Sequence, residues 1–406
     1  MKILIVSQYY SPEPVPIPGA LAEELAARGH QVRVLTAFPN YPSGELADGY
    51  AQKWDYRERI NGVPVRRVPV FLSHSRNPVA RLANYVSFGL SSVLAASYAR
   101  GADVVYVYAT QMTAAIGPSW WKRMSGTPYV LHVQDLWPES ITGSSMVRRG
   151  MPTRTIDAVL TPWLRGLYRR AAGIIAIGPG MARLLVERGA STERVHSVFN
   201  WAPKVAATAP RDARQDGAVT MMYAGNIGEM QGLHTVMEAM ALVRDLEGLR
   251  LLVVGSGVAL DDVSRKATTL GLNNVEFMGR IEQGSMGPLY AASDFQLVTL
   301  VDLPIFRVTV PSKFQSSLAG GIPVITTVGG DVSELVDRHG LGLSSPPGDP
   351  AELAKTIRRA YSISAVERAA MGERAKVYYE QTMSLNSGVD RIEQILANAA
   401  SGENGN

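Results

Sequence analysis

The stretch VPSKFQSSLAGGIPVI, residues 310–325, carries the strongest fold signal in the chain. Its helix-forming segment, 313–319, stops at a Gly-Gly pair, and a β-branched strand, 322–327, follows and ends at Gly329-Gly330. A helix start and a loop are thereby brought to one end of a sheet, the end at which open α/β sheets bind ligands. About ninety residues earlier, AGNIGEMQG (224–232) repeats the theme: a strand ends, a glycine-marked turn follows, and a helix is expected from Leu233. The hydroxyl of Ser312 is placed to cap the 313–319 helix, with Lys313 adding a cation in its first turn.

Working outward, the same alternation recurs. Buried-type strands are expected at 2–7, 31–37, 104–109, 129–133 and 173–177, with an amphipathic helix at 20–28 closed by Gly29. A second set is expected at 218–224, 250–255, 275–278, 295–299 and 323–327. Alternating strands and helices imply right-handed crossovers and parallel sheets. Residues 202–217, rich in Pro, Ala and Asp, read as a linker. The expected architecture is α/β, two doubly wound Rossmann-like domains with a cleft between them. Their boundaries are 1–205 and 206–383, with a C-terminal helix at 384–400 placed to pack back on the first domain and a disordered tail after it.

Composition narrows the class. With 406 residues, 46% hydrophobic and 19% charged, the chain is globular and long enough for two cores. It has no cysteine, which excludes disulfides and thiolate metal sites and favours a reducing compartment. Met1-Lys2 leads directly into a strand and leaves no room for a signal peptide, so a cytoplasmic location is expected. The net charge of +4 is unevenly spread: residues 1–205 carry 23 Lys/Arg against 13 Asp/Glu, and the remainder 17 against 23. A basic first half fits an anionic partner such as a membrane surface or a lipid diphosphate. Nucleic acid is disfavoured, because aromatics do not interleave with the basic residues. The uncharged run 82–99 includes Asn84, serines and Gly89 and suits a packed helix better than a span. Flanked by Arg76, Arg81 and Arg100, it is a candidate for peripheral membrane contact.

A nucleotide diphosphate needs backbone amides, a helix N-terminus and a cation. Gly225-Asn226-Ile227-Gly228, Pro311-Ser312-Lys313 and Pro18-Gly19, the last read as lying before the first helix, supply such groups. In the first domain, His132, Gln134 and Asp135 form a polar cluster at a strand's carboxyl end, and either His132 or Gln134 faces outward. Tyr9 and Tyr10 with the loop 38–42, including Asn40 and Tyr41, have the aromatic and polar character of acceptor contacts.

The chain resembles retaining glycosyltransferases of family 4, in the WbuB/WcaI-like branch of envelope-polysaccharide transferases. The matching residues are QYYSPEP near the start, ELAARGHQVRVLTAFPNYPSG (24–44), HVQDLWPES (132–140), IGPGMARLLVERG (177–189), VHSVFNWAP (195–203), AGNIGEMQGL (224–233) and TVPSKFQSSLAGGIPV (309–324). The resemblance implies a GT-B fold, a nucleoside-diphosphate sugar held by the second domain, an acceptor held by the first, and retention without a metal or other cofactor. By resemblance, Gly225 and Asn226 stand where the family has a Gly-Arg pair, and Gln231 where it has lysine. Val308 and Ser316 stand where it has two glutamates. With those groups neutral or missing, another cation must offset the diphosphate charge. Lys313 leads, followed by Arg307 and by Arg280, whose loop runs beside the nucleobase in the family.

The donor positions expected on these grounds are Gly19, Gly225, Asn226, Gln231, Arg280, Arg307, Pro311, Ser312 and Lys313. Catalytic roles fall to His132, Asp135 and Lys313. The function expected is transfer from a nucleotide sugar, UDP-linked before GDP-linked, to a lipid-linked acceptor of envelope or exopolysaccharide assembly. A secondary-metabolite acceptor is consistent with the same donor half. So is a non-catalytic nucleotide-sugar-binding protein. A sugar-nucleotide 2-epimerase should show carboxylate and histidine pairs that are not found.

Overall fold

The computed structural model describes residues 1–73, 78–139, 153–203 and 218–402. The linker reading at 204–217, the tail at 403–406 and Arg76 lie outside the described residues. The chain divides into two compact units, Met1–Phe199 with Gly388–Asn406, and Asn200–Ser387.

Among the described residues, the first unit holds an eight-stranded sheet. Its strands are β1 Lys2–Ser7, β2 Gln31–Ala37, β3 Tyr56–Ile60, β4 Val63–Val68, β5 Val104–Ala109, β6 Tyr129–Val133, β7 Gly173–Ala176 and β8 Val195–Ser197. They run in the order β3-β4-β2-β1-β5-β6-β7-β8. The central strands are buried throughout, as in VVYVYA of β5 and YVLHV of β6. Such continuous apolar runs suit strands covered on both faces by helices.

The sheet is parallel except at one edge, where β3 pairs antiparallel with β4. This departs from the all-parallel expectation. The turn is Asn61-Gly62, both at positive φ (48° and 82°), the backbone that a two-residue hairpin requires. Arg67, in β4, is fully buried beneath this hairpin. Its Nε donates to Glu58 Oε1 (2.5 Å), Nη1 to the Ala37 carbonyl and Nη2 to the Ser11 carbonyl. A buried charge held by one carboxylate and two carbonyls is costly to orphan. Arg67→Ala should therefore lower stability by about 3 kcal/mol, read as a shifted urea midpoint.

The first helix begins at Pro16, not Ala20, and runs to Ala27. Proline is favoured in the first turn, where its missing N–H has no partner to lose. Pro18-Gly19 therefore lies inside this helix and not before it. A Cβ on Gly19 would meet nothing within 4 Å. The last helix, Leu385–Ser401, belongs to the first unit from Gly388 onward. Arg28 Nη1 donates to Asp390 (2.6 Å) and Glu393 (2.9 Å), and His30 Nε2 meets Glu393 at 2.7 Å. Ile395 packs so close to Gly173 that a Cβ there would lie 3.1 Å from its methyl.

The second unit contains six parallel strands among the described residues: β9 Val219–Ala224, β10 Leu249–Val254, β11 Val275–Gly279, β12 Phe295–Val298, β13 Val324–Thr326 and β14 Gly342–Ser344. Their order is β11-β10-β9-β12-β13-β14. The chain winds one way from β9 through β10 to β11 and the other way from β12, so the topological switch point falls between β9 and β12. One face of the sheet packs on the helices Leu233–Leu242, Leu260–Thr269 and Pro350–Ser362, around Met221, Tyr223, Val236, Leu251, Phe295 and Ile357.

Candidate functional site

At that switch point, where α/β sheets receive ligands, the second unit has a recess of about 480 Å³. Gly225, Asn226, Gln231, Pro311, Ser312 and Lys313 all line it, together with Tyr290, Gln296 and Ser317. A second recess of about 650 Å³ shares Ala224, Gly225, Asn226 and Tyr290 with the first and adds Gly255, Ser256 and Arg280. Residues far apart in sequence are thus gathered around Gly225.

Gly225 is needed here on two counts. Its φ is +136°, and a Cβ would stand 2.5 Å from Lys313 Cε. The lysine stem therefore crosses its open face. The turn offers fewer free amides than its glycines suggest. The Gly225 N–H donates to the Val254 carbonyl and that of Ile227 to the Ser256 carbonyl, so among the described residues the N–H groups of Asn226 and Gly228 are those left to a ligand.

Lys313 sits at the start of the helix Ser312–Ala319. The expected Ser312 cap is corrected: Pro311 is the N-cap residue, and no side chain caps the helix. Proline's fixed φ of −66° sets the entry, and Ser312 becomes the first helical residue with an exposed side chain. This end keeps its positive dipole and uncapped N–H groups facing the recess.

The Lys313 Nζ donates to the Tyr223 hydroxyl (2.7 Å) and to Gln231 Oε1 (2.5 Å), and lies 4.4 Å from the centroid of the Tyr223 ring. Burial lowers its ammonium to about 8. Burial likewise pushes the Tyr223 phenol up, so the hydroxyl stays neutral. Among the described residues Lys313 has no ion pair. The other cations proposed from sequence differ. Arg280 is exposed at the rim of the second recess, and Arg307 is paired with Asp302 at 3.1 Å and lines neither recess.

In the first unit, Tyr9, Tyr10, Asn40 and Tyr41 come together beyond β1 and β2. Glu13 is the organiser: its carboxylate accepts from the backbone N–H of Tyr10 (3.0 Å), Asn40 (2.9 Å) and Tyr41 (2.9 Å). Burial raises its carboxyl above the ordinary range, against the downward pull of those three N–H groups. Tyr9 and Tyr41 pack with ring centroids 4.9 Å apart. Of these four, only Tyr41 is well exposed, at 46%, while Tyr10 is wholly inside.

His132 does not reach solvent. Its ring meets Tyr106 and Tyr108 edge-on, and Nδ1 is bonded to the Tyr106 hydroxyl. Burial lowers it to about 3, so it is neutral at physiological pH. Asp135, just past the strand end, is exposed.

Sequence reasoning passes over Tyr223, Glu13, Tyr290 and Gln296. Tyr223 lies in an apolar strand and reads as core. Glu13 stands between two prolines, a carboxylate in an otherwise apolar turn, which is the signal that could have marked it.

The chain matches the "Glycosyl transferase 4-like domain" over residues 17–201 and "Glycosyl transferases group 1" over 218–362. It is 30% identical over 342 residues to the Escherichia coli K12 protein assigned to colanic acid biosynthesis as glycosyl transferase WcaI, covering 80% of this chain and 83% of that one. It is 27% identical to a Pseudomonas aeruginosa protein assigned as glycosyltransferase WbjE, over 68% of this chain and 70% of the other. Among solved structures, Anabaena Alr3699/HepE in complex with UDP and glucose superposes with a TM-score of 0.66 at 18% identity, covering 98% and 99% of the two chains. Two Rossmann-like units in one chain are the GT-B fold of glycosyltransferases. The chain belongs to the family 4-like glycosyltransferases, in the WcaI-like branch, and is a glycosyl-transferring enzyme.

Proposed function

We propose that the enzyme moves a sugar, with retention, from a nucleoside-diphosphate sugar, UDP-linked before others, to a lipid-linked acceptor in cell-envelope or exopolysaccharide assembly. The observation that carries this reading is the partly buried ammonium of Lys313, which makes no ion pair among the described residues, at an uncapped helix N-terminus on the switch point of the second sheet. A leaving diphosphate gains negative charge as the glycosidic bond breaks, and a preorganised cation with a helix dipole stabilises it most at that moment. Gly225, Asn226, Gln231, Pro311, Ser312 and Lys313 form the phosphate end of the donor site, with Arg280 on the rim of the adjoining recess. The UDP complex of the Anabaena structure and the colanic-acid relative support donor class and pathway class respectively.

Transfer then runs through an oxocarbenium-like, front-face displacement in which the leaving phosphate accepts the acceptor's proton. That chemistry asks for no separate enzyme base. In the first unit, Asn40 and Tyr41, held by Glu13, serve the acceptor with Tyr9, which packs on Tyr41. Peripheral membrane contact suits the helix Pro78–Leu94, which exposes Leu82, Leu90 and Leu94 beside exposed Arg81, with Arg100 exposed just beyond its end. No helix among the described residues is long and apolar enough to cross a membrane.

The test is transfer of labelled sugar from a panel of nucleotide sugars into a membrane extract containing lipid-linked saccharides, with the anomeric configuration of product read by NMR. Label in the lipid phase with retained configuration supports the proposal; inverted product or transfer only to water-soluble small molecules would defeat it. A pH dependence follows as well. Lys313 is charged below about 8 and loses its proton above it. Diphosphate affinity should therefore be highest near pH 7 and fall between about pH 8 and 9, a slope that Lys313→Ala should lack in calorimetric titration.

A further inference from the structure

Resting on the reading that the second unit binds a nucleoside diphosphate, we propose that Tyr223 and Gln231 are positioning residues that form a neutral cradle. They aim the Lys313 ammonium into the recess without cancelling its charge. The geometry makes the cradle specific. Gln231 Oε1 and the Tyr223 hydroxyl each accept one Nζ–H, at 2.5 and 2.7 Å, and the ring face lies beneath the same nitrogen at 4.4 Å. Both acceptors are themselves anchored. The Tyr223 hydroxyl donates to the Asn226 carbonyl (2.5 Å), and the Gln231 backbone carbonyl accepts from Thr299 Oγ1 (2.6 Å).

The choice of acceptor is what matters. Several cations elsewhere in this unit are met by carboxylates: Lys266 by Glu238, Lys355 by Glu352, Arg307 by Asp302. At Lys313 the partners are an amide oxygen, a hydroxyl and a ring face, which orient an ammonium but leave its full charge for an anion. With two N–H groups held, the third is available to a phosphate oxygen. The Lys313 stem reaches this point only because Gly225 has no side chain.

Charge and shape can be separated at position 231. Gln231→Glu keeps the shape and supplies the missing counter-charge, so affinity for UDP should fall about ten- to a hundredfold in a protein whose circular dichroism is unchanged. The converse variant moves the cation. A lysine side chain is one bond longer than glutamine, so in the double variant Gln231→Lys with Lys313→Gln the ammonium comes from the other end of the same contact. This double variant should regain most of the UDP affinity lost in Lys313→Gln alone. Tyr223→Phe, which removes one acceptor and the tie to Asn226, should weaken UDP binding several-fold. UDP affinity in Gln231→Glu equal to wild type, or a double variant as weak as Lys313→Gln, would overturn the cradle while leaving the donor reading intact. A wild-type protein that binds no nucleoside diphosphate would overturn both.

Discussion

Lys313→Ala should lower affinity for the nucleoside diphosphate by about a hundred- to a thousandfold, with turnover falling at least in proportion and the fold unchanged. The size follows because, among the described residues, no other cation lines the first recess. Gln231 and Asn226 are neutral, Arg307 is paired with Asp302, and Arg280 stands on the rim of the adjoining recess. The fold should survive because Lys313 makes no ion pair among the described residues and its helix is anchored by buried Phe314 and Leu318. Removing the lysine even relieves the unfavourable burial that depresses its ammonium. Isothermal titration calorimetry with urea unfolding separates the two effects. Unchanged affinity would remove Lys313 from the site.

Gly255→Ala should act through the backbone instead and cost about 4 kcal/mol of second-unit stability. Gly255 has φ of +141°, and a Cβ there would stand 1.9 Å from the Gly225 carbonyl oxygen. Neither group can swing away. The Gly255 N–H is bonded to the Gly279 carbonyl and the Gly225 N–H to that of Val254, which ties together the carboxyl ends of β9, β10 and β11. Relief must open the turn that carries Asn226 and shift the surface on which Lys313 lies. Loss of diphosphate binding should accompany the loss of stability. Gly287→Ala is the control: a Cβ there meets nothing within 4 Å, so its urea midpoint should stay near wild type.

The central strands of both units are readable because each is a short apolar run between turn residues. Strands β1, β2, β5 and β6 fall on the residues that their patterns predict. The β3-β4 hairpin is passed over by an apolar-run criterion, since YRERI alternates charge and bulk for an edge with a solvated face. The Asn61-Gly62 pair was its legible mark. The start of the first helix is displaced because prolines at 16 and 18 read as loop although they suit a first turn.

At the site, the glycine turn and the PSK segment are visible as motifs. What joins them is not. Tyr223 and Lys313 are 90 residues apart, and no local pattern says that a core-like tyrosine turns its hydroxyl toward an ammonium. His132, read from sequence as a site residue, is buried with Nδ1 bonded to the Tyr106 hydroxyl, while its Nε2 has no hydrogen-bond partner among the described residues. At this strand's carboxyl end His132 and Gln134 are both buried, and Asp135, past the last strand residue, is exposed.

The decisive measurement is a thermal-shift panel of UDP, GDP, dTDP and ADP on the wild-type protein and Lys313→Ala in parallel. A ligand that binds only the folded state raises the melting temperature by mass action. A rise in the wild type that is greatest with UDP, and is abolished in the variant, is the expected result. A wild type indifferent to every diphosphate, or a variant that responds as the wild type does, would contradict a donor site built on Lys313.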